Sequence, residues 1–529
     1  MTFFNKAVYT AFVSTITLVI AGCGGSSSGK VSPTPTPTLT PTPAPKEDPL
    51  FSTQWYLENS GQTSGAENGG TAGEDLHVSE VWKEFKGNKN NAVAVLDIGV
   101  EAKHPDLEAN IDLSMSYRYF DGSNDPSPLN SRVPHGTCVA GIIAAKGWNG
   151  IGIRGVAPDA KLVGLNVLSA PTEANLMDAL GKADIAISNN SWGAGGNGLN
   201  EFENLVETMQ KGCQNGRNGK GTIYLFAAGN SRYGNNNSNT NMSSLTNNYY
   251  AITVSAVNAN GTYASYSNYG PTVLVAGTGG EYGKKEPAIV TTDITGLNNG
   301  WDTNKTHYDV SGNENGDYTN TMNGTSAACP SVSGVVALML NANPNLSWRD
   351  VRYILAATAR KNDPSNDKWT SNAAGFHINY NYGFGMVDAQ NAVEMSKTFE
   401  GLGELLTSES SIDVNTTIPN DRKTALTSTA YIGKEMAVEY VDIWITIENK
   451  KYGQIGDLEI KLTSPDGTES ILAWSGVKTY GRYGNWRFGT VRHLGEHALG
   501  QWKLSVKDAD GDSDYTLMKW KLKVYGHRE

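Results

Sequence analysis

Between residues 91 and about 395, short apolar runs alternate with stretches whose apolar positions fall three and four apart. Ala92-Val93-Ala94-Val95-Leu96 offers no polar position to either face of an extended chain, which predicts a strand buried on both sides. Residues 162–168, 185–188, 223–228, 252–257 and 273–276 have the same texture, and residues 138–145, 174–180 and 199–209 carry helical spacing. Uniformly apolar strands alternating with helices predict an α/β fold, a mostly parallel sheet with helices on both faces. Sites in such sheets lie beyond the carboxyl ends of the strands, where Asp97 and Asn230 fall. Past residue 395 the helical texture stops. Residues 438–447, 458–463, 502–506 and 518–524 are strand-like runs, and Ser464-Pro465-Asp466-Gly467 between two of them has the chemistry of a turn. A second, all-β domain of sandwich type is predicted, with its boundary near residues 400–410.

Three words follow one another along the first domain: Val95-Leu96-Asp97-Ile98-Gly99, His135-Gly136-Thr137 and Gly324-Thr325-Ser326-Ala327-Ala328-Cys329-Pro330. An Asp at a strand end, a His opening a helix and a Ser opening another are the parts of an acid-base-nucleophile relay. In it Ser326 attacks a carbonyl, His135 takes its proton and passes it to the leaving amine, and Asp97 fixes the imidazole tautomer. A Ser after Gly-Thr also suits plain helix capping. Here, however, it leads into a small-residue and then apolar helix whose N-terminal dipole would face the nucleophile. A tetrahedral oxyanion needs donors, and Asn230 at a strand end, with the Ser326 backbone N–H, is the candidate set. Cys138 and Cys329, three residues beyond His135 and Ser326, are expected to be buried, inert thiols.

Together Asp97, His135-Gly136-Thr137, Ser191-Trp192-Gly193, Ala228-Gly229-Asn230 and Gly324-Thr325-Ser326 resemble the subtilisin-like serine proteases. Gln54-Trp55-Tyr56-Leu57, His104-Pro105-Asp106-Leu107 and Ile289-Val290-Thr291-Thr292-Asp293 resemble the kexin and furin branch. Asn485-Trp486-Arg487-Phe488, Gly500-Gln501-Trp502 and Trp520-Lys521-Leu522 resemble that branch's jelly-roll P domain. The resemblance implies a serine endopeptidase acting on polypeptides, with a subtilisin-like peptidase domain over residues 48–399 and the P domain over 400–529. It implies that Ser191, Trp192 and Gly193 bind the substrate backbone as an added strand. It also implies calcium, a hard ion that wants oxygen ligands. Asp48, Asp106 and Asn149 match one family site, with carbonyls offered by Lys146, Ile151 and Ile153.

The departures from that branch bear on specificity and folding. Ile98, the run Ala194-Gly195-Gly196-Asn197 and Ser243 stand where the branch carries acids for paired basic residues. Without them a Lys or Arg side chain loses its charge-assisted partners, which weakens a strict dibasic preference, although Asp184, Glu201 or Glu203 remain to refill a pocket. Gly196, an Asn within residues 235–239 and Asn268 match the acidic positions of a second calcium site, so no metal is assigned there. Subtilases commonly carry a folding pro-domain, whereas residues 24–47 form only a small-residue and Pro-Thr segment. A separate chaperone or inhibitor is therefore the expected folding partner, the alternative being unaided folding helped by the P domain.

The N-terminus reads as an export leader over residues 1–22, with an apolar run too short for a membrane span. Ile20-Ala21-Gly22-Cys23 resembles the lipobox of bacterial lipoproteins, which implies lipidation of Cys23. Thr-Pro alternation then predicts an extended tether over residues 23–47. The expected location is exported and lipid-anchored to the bacterial cell envelope, in the outer membrane by the same resemblance, with surface exposure or release as alternatives. A formal net charge of -11 with no basic, aromatic-interleaved patch argues against nucleic acid as a partner. Four cysteines are too few for a disulfide-built scaffold. Two other function classes compete: a binding protein on a retired protease fold, and an esterase or amidase for small acyl compounds. The complete catalytic words argue against the first, and Ser191-Trp192-Gly193 against the second.

Overall fold

The computed structural model describes residues 46–193, 198–232, 238–449, 455–511 and 514–528. The leader, Cys23, most of the tether, and residues 194–197 and 235–237 named above lie outside the described residues.

Seven strands make the central sheet: β1 (Ala92–Asp97), β2 (Tyr117–Arg118), β3 (Lys161–Asn166), β4 (Ile187–Asn190), β5 (Ile223–Ala227), β6 (Ala251–Val257) and β7 (Val273–Thr278). Their order is β2-β3-β1-β4-β5-β6-β7, and every neighbouring pair is parallel. All residues of β1 and of β4 to β7 are buried; in β1 this follows from an unbroken apolar run, whereas β4 also buries Ser188, Asn189 and Asn190. Helices α1 (His135–Ala144), α2 (Glu173–Leu180), α3 (Glu203–Asn215), α4 (Thr325–Ala342), α5 (Trp348–Thr358) and α6 (Ala389–Thr398) flank it. Two antiparallel pairs complete this part: β8 (Ile289–Thr292) with β9 (Tyr318–Met322), and β10 (Thr370–Ser371) with β11 (His377–Ile378). Helix α4 is apolar all round and packs beside α1 against β4 to β7, so its length and composition serve the core.

The helix expected at residues 199–209 is displaced to Glu203–Asn215. Asn200 forms a bridge with Ser243, and the Phe202 N–H donates to Ser244 Oγ at 2.6 Å, so these residues extend toward a neighbouring loop and the helix starts after them.

The C-terminal part is a sandwich. One antiparallel sheet contains β12 (Leu406–Thr417), β14 (Ala437–Asn449), β17 (Gly484–Thr490) and β19 (Tyr515–His527), in the order β12-β19-β14-β17. The other contains β13 (Leu426–Ile432), β15 (Leu458–Thr463), β16 (Glu469–Ala473) and β18 (Gly500–Asp508), in the order β13-β18-β15-β16. Alternate residues of β15 and β18 are buried, and Ile443, Ile460, Trp502 and Leu522 meet in one core. Strand β12 escaped the sequence reading because it is a polar edge strand with every second residue exposed. The sandwich docks on the α/β body through aromatic packing. Tyr440, Val491, Leu494 and Tyr525 belong to the same buried cluster as the α/β core, and the Tyr249 and Tyr525 ring centroids lie 4.4 Å apart.

Candidate active site

Side chains from five separate segments converge beyond the carboxyl ends of β1, β4 and β5. Asp97 is the last residue of β1 and is 1 % exposed. His135 opens α1, and its Nδ1 lies 2.9 and 3.0 Å from the two Asp97 carboxylate oxygens. Burial alone would depress the imidazole, but the Asp97 charge and hydrogen bond outweigh it and hold His135 above its ordinary value of 6.5. Gly136 explains the glycine in that word: a Cβ there would come within 2.2 Å of the Gly99 carbonyl oxygen and 2.9 Å of Asp97 Cβ. Any side chain would push α1 off the aspartate.

Ser326 is the second residue of α4. Helices α2, α5 and α6 start on side-chain caps from Thr172, Ser347 and Asp388, whereas α1 and α4 start on Pro134 and Gly324 with none. Of the first N–H groups of α4, that of Ser326 has no partner among the described residues, while that of Ala327 donates to the Gly324 carbonyl at 2.9 Å. Asn230 stands beside them. Its Oδ1 accepts hydrogen bonds from the Thr325 N–H at 2.9 Å and the Thr325 hydroxyl at 2.8 Å. With the oxygen end fixed, Nδ2 is turned inward and carries no protein partner among the described residues. Gly324 has φ 101°, and a Cβ on it would crowd Asn230 Nδ2 at 3.1 Å, so glycine serves both the turn and the open donor.

One contact differs from the expected relay. The Ser326 hydroxyl is not hydrogen-bonded to His135; it donates to the Ser191 carbonyl oxygen at 3.0 Å, while the Ser191 hydroxyl donates to the Ser326 carbonyl oxygen at 2.9 Å. Substrate-free hydrolases commonly hold nucleophile and base in such slack arrangements. Ser191, Trp192 and Gly193 follow directly from β4 and line one side of the pocket. Trp192 packs against Phe226 of β5 with centroids 5.5 Å apart, and Gly193 is exposed with open space beside it.

A cavity of about 200 Å³ opens between Ser191-Trp192-Gly193, Ala228-Gly229-Asn230, the segment from Asn239 to Thr246, Asn268 and Ser326. Among the described residues its lining carries no charged side chain. Ser243 is in that lining, and Ile98 is half-buried behind Asp97. Thr325, which anchors Asn230, and Asn239, Thr240 and Thr246, which form the far wall, were missed by the sequence reading. An Asn, Ser and Thr run has the composition of an ordinary loop, and only tertiary placement makes it a wall. Cys138, Cys213 and Cys329 are free and buried, and burial pushes all three thiols well up.

The residues expected to hold calcium also meet. Asn149 Nδ2 donates to Asp106 at 2.8 Å and its backbone N–H to Asp48 at 3.0 Å. Asp106 is fully buried with no cation in contact, and burial pushes it up to about 7. The carbonyl oxygens of Lys146, Ile151 and Ile153 accept no hydrogen bond among the described residues, so this side of the cradle fits a hard cation. Asp48 fits less well. Its two oxygens already accept from the Trp148, Asn149 and Gly150 N–H groups and from Arg154 Nε at 2.6 Å. No cluster of three or more His, Cys, Asp or Glu side chains suited to a metal occurs among the described residues.

A doubly flanked parallel sheet with an Asp–His pair, a helix-opening serine and inward amide donors at its carboxyl edge defines a serine hydrolase of the subtilisin class. Residues 88–385 match the model of the subtilase family, residues 438–524 match that of the proprotein convertase P-domain, and the chain belongs to the subtilase family. It is 32% identical to the Aeromonas extracellular serine protease of Aeromonas sobria, over 91% of each protein. It is 34% identical to the dibasic-processing endoprotease of Schizosaccharomyces pombe, over 91% of this chain and 66% of that protein. The crystal structure of the Aeromonas sobria serine protease with the chaperone ORF2 superposes with a TM-score of 0.84 at 30% identity, covering 92% of this chain and 96% of that one. The protein is therefore a serine endopeptidase with a C-terminal P domain.

These relatives correct one expectation. The relative matched over nine-tenths of the chain is an extracellular serine protease, and the lipid-anchored envelope location expected from Cys23 is not upheld. The word Ile20-Ala21-Gly22-Cys23 consists of the small and apolar residues that any export leader carries near its end, and a cysteine among them does not specify a lipid.

Proposed function

We propose that Ser326 is the nucleophile, His135 the general base and acid, Asp97 its orienting carboxylate, and Asn230 with the Ser326 backbone N–H the oxyanion donors. The observation that carries this reading is Asn230: its oxygen is fixed by Thr325 and its free N–H₂ faces the first turn of α4. A peptide bound along Ser191-Trp192-Gly193 as an added strand brings a backbone N–H to the Ser191 carbonyl. That N–H takes the place of the Ser326 hydroxyl, which turns to His135. Ser326 Oγ then bonds to the scissile carbon while its proton passes to His135 Nε2, and the carbonyl oxygen takes the negative charge between the two donors. The C–N bond breaks as His135 gives the proton to the leaving amine, and water repeats the sequence on the acyl-enzyme.

The enzyme is read as kexin-like, with the peptidase domain over residues 48–399 and the P domain over 400–529. Its cavity lining supports a loosened preference, not strict cleavage after paired basic residues, because no carboxylate lines it among the described residues. Calcium would be held by Asp106, Asn149 and the carbonyls of Lys146, Ile151 and Ile153, with Asp48 shared with Arg154, and would supply stability to the loops after α1. A separate folding chaperone is proposed for this chain as well, on the support of the solved complex of the Aeromonas sobria protease with one.

Cleavage mapping of a diverse peptide library by wild type and Ser326→Ala, with and without a chelator, tests the assignment. Cleavage that disappears in Ser326→Ala is expected, with cut sites not confined to Lys and Arg pairs. Equal activity in a folded Ser326→Ala variant would remove the assignment.

A further inference from the structure

We propose that the P domain shapes the substrate side-chain pocket directly, with Asn241 and Trp486 as its positioning residues. The inference rests on the reading of the 200 Å³ cavity as that pocket. The cavity wall opposite Ser326 is a short segment that begins at Asn239 and includes a 3-10 turn over Thr240–Met242. The α/β body ties its backbone on one side, through the Thr240 N–H to the Tyr269 carbonyl and the Ser244 N–H to the Asn200 carbonyl, each at 3.0 Å, and leaves its buried side-chain amides to be supported from the other.

The sandwich supplies that support. Asn241, fully buried, donates through Nδ2 to the Leu472 carbonyl of β16 at 3.1 Å and accepts through Oδ1 from the Gly489 N–H of β17 at 2.8 Å. The Asn241 carbonyl accepts from Trp486 Nε1 at 3.1 Å. Asn239, which lines the cavity, donates from its Nδ2 to the same Leu472 carbonyl at 2.8 Å. Asn247 closes the far end, donating to the Arg487 carbonyl at 2.6 Å and to the Asn241 carbonyl at 3.0 Å. Met242, also in the cavity lining, is packed into the core of the sandwich itself.

These groups alternate along one segment. Asn241 and Asn247 face the sandwich, while Thr240, Ser243 and Thr246 face the cavity. A shift of β17 therefore moves the cavity wall with it, since buried amides cannot exchange these partners for water without loss. Neither Asn241 nor Trp486 lines the cavity or touches the nucleophile. Their effect must pass through the wall.

The test uses full-length enzyme and peptide substrates that differ only in the residue whose side chain enters the pocket. Asn241→Ala and Trp486→Phe remove wall anchors; the second keeps an aromatic ring in the core while losing the indole N–H and part of the ring volume, so it answers if the first does not fold. Asn372→Ala is the matched control, because Asn372 Nδ2 likewise donates to sandwich carbonyls, of Arg492 and Leu494, away from the cavity. Ser243→Phe fills the cavity.

The expected result is a KM about 5- to 20-fold higher in Asn241→Ala, smaller but in the same direction in Trp486→Phe, with kcat nearly unchanged and preference among substrates flattened. Asn372→Ala should lose thermal stability without changing preference. If both Asn variants lose stability and neither changes preference, the P domain only stabilises and the proposal fails. If Ser243→Phe also leaves preference unchanged, the pocket reading fails with it. If Ser243→Phe changes preference and the two anchor variants do not, the pocket stands and the proposal alone is overturned.

Discussion

Replacement of Asn230 isolates the proposed oxyanion donor from the rest of the site. In Asn230→Ala the amide that faces the first turn of α4 is lost, while the Asp97–His135 pair, 2.9 Å apart, and the Ser326 hydroxyl are untouched. The lost interaction is one hydrogen bond to a charge that exists only in the transition state. In a water-poor site such a donor is worth about 2.7–4 kcal/mol, so kcat should fall about 10²- to 10³-fold. KM should stay within about twofold, because the ground-state carbonyl gains little from the same donor. The structure also fixes what else is lost. The Thr325 N–H and hydroxyl lose their acceptor, a cost of about 1–3 kcal/mol in stability because Thr325 is fully buried.

Asn230→Asp separates the two effects, since it keeps an acceptor for Thr325 and replaces the donor by an oxygen where negative charge must develop. It should be at least as inactive as Asn230→Ala while nearer to wild type in melting temperature. Thr325→Val keeps the shape of the turn but removes the hydroxyl that donates to Asn230 and accepts from the Gly229 N–H at 3.1 Å. It should cost about 10-fold in kcat by loosening the amide. Steady-state kinetics on a chromogenic peptide, corrected by active-site titration, measures all three. A loss of kcat below about 10-fold in Asn230→Ala, or a loss expressed wholly in KM, would refute the donor role.

Four other outcomes follow from the same geometry. His135 must be neutral to accept a proton, and Asp97 holds its pKa above 6.5; kcat/KM should therefore fall as pH drops through a value above 6.5, and in Asp97→Asn the inflection should move down while kcat falls about 10⁴-fold. A pH–rate profile unchanged in Asp97→Asn would be inconsistent with the pair. Chelation should lower the melting temperature by roughly 5 °C, and Asp106→Asn should abolish the difference; equal melting with and without chelator in the wild type would exclude a stabilising calcium. Ser191→Ala removes the hydroxyl that donates to the Ser326 carbonyl but keeps the backbone acceptor, so it should lower kcat by less than about 10-fold, and a larger loss would assign the hydroxyl a direct part in chemistry. The buried thiols Cys138, Cys213 and Cys329 should resist alkylation in the native enzyme and react once it is unfolded, and rapid inactivation by iodoacetamide would contradict their placement.

Much of the fold was legible because its elements are strongly patterned. β1, β5, β6 and β7 fall within a residue or two of their apolar runs, since a strand buried on both faces has no polar position to confuse it. The same clarity placed Asp97 at the end of β1, His135 at the start of α1 and Ser326 at the start of α4. β12 and β13 were invisible for the opposite reason: as polar strands at sheet edges they alternate exposed and covered residues with little apolar signal. Short words with a mechanism also survived translation into space. The glycines of His135-Gly136-Thr137 and Gly324-Thr325-Ser326 stand where a Cβ would strike Asp97 or Asn230.

What the sequence withheld is the partner of each uncharged polar group. Asn241 and Asn247 before β6 and Asn268 after it are the same residue type in loops, yet the first two hold strands of the sandwich and the third turns inward, donating to the Ala228 carbonyl at 2.9 Å and lining the cavity. Their acceptors are largely backbone carbonyls, which every residue has, so no residue code marks the pairing. Charge leaves a stronger trace. The loss of acids at Ile98 and Ser243 could be read from the chain, and it agrees with a cavity lined by amides and hydroxyls among the described residues. The catalytic centre is thus written in local words that a single segment can carry. The pocket beside it is set by contacts between two domains, and a reading along one chain meets its parts without meeting their arrangement.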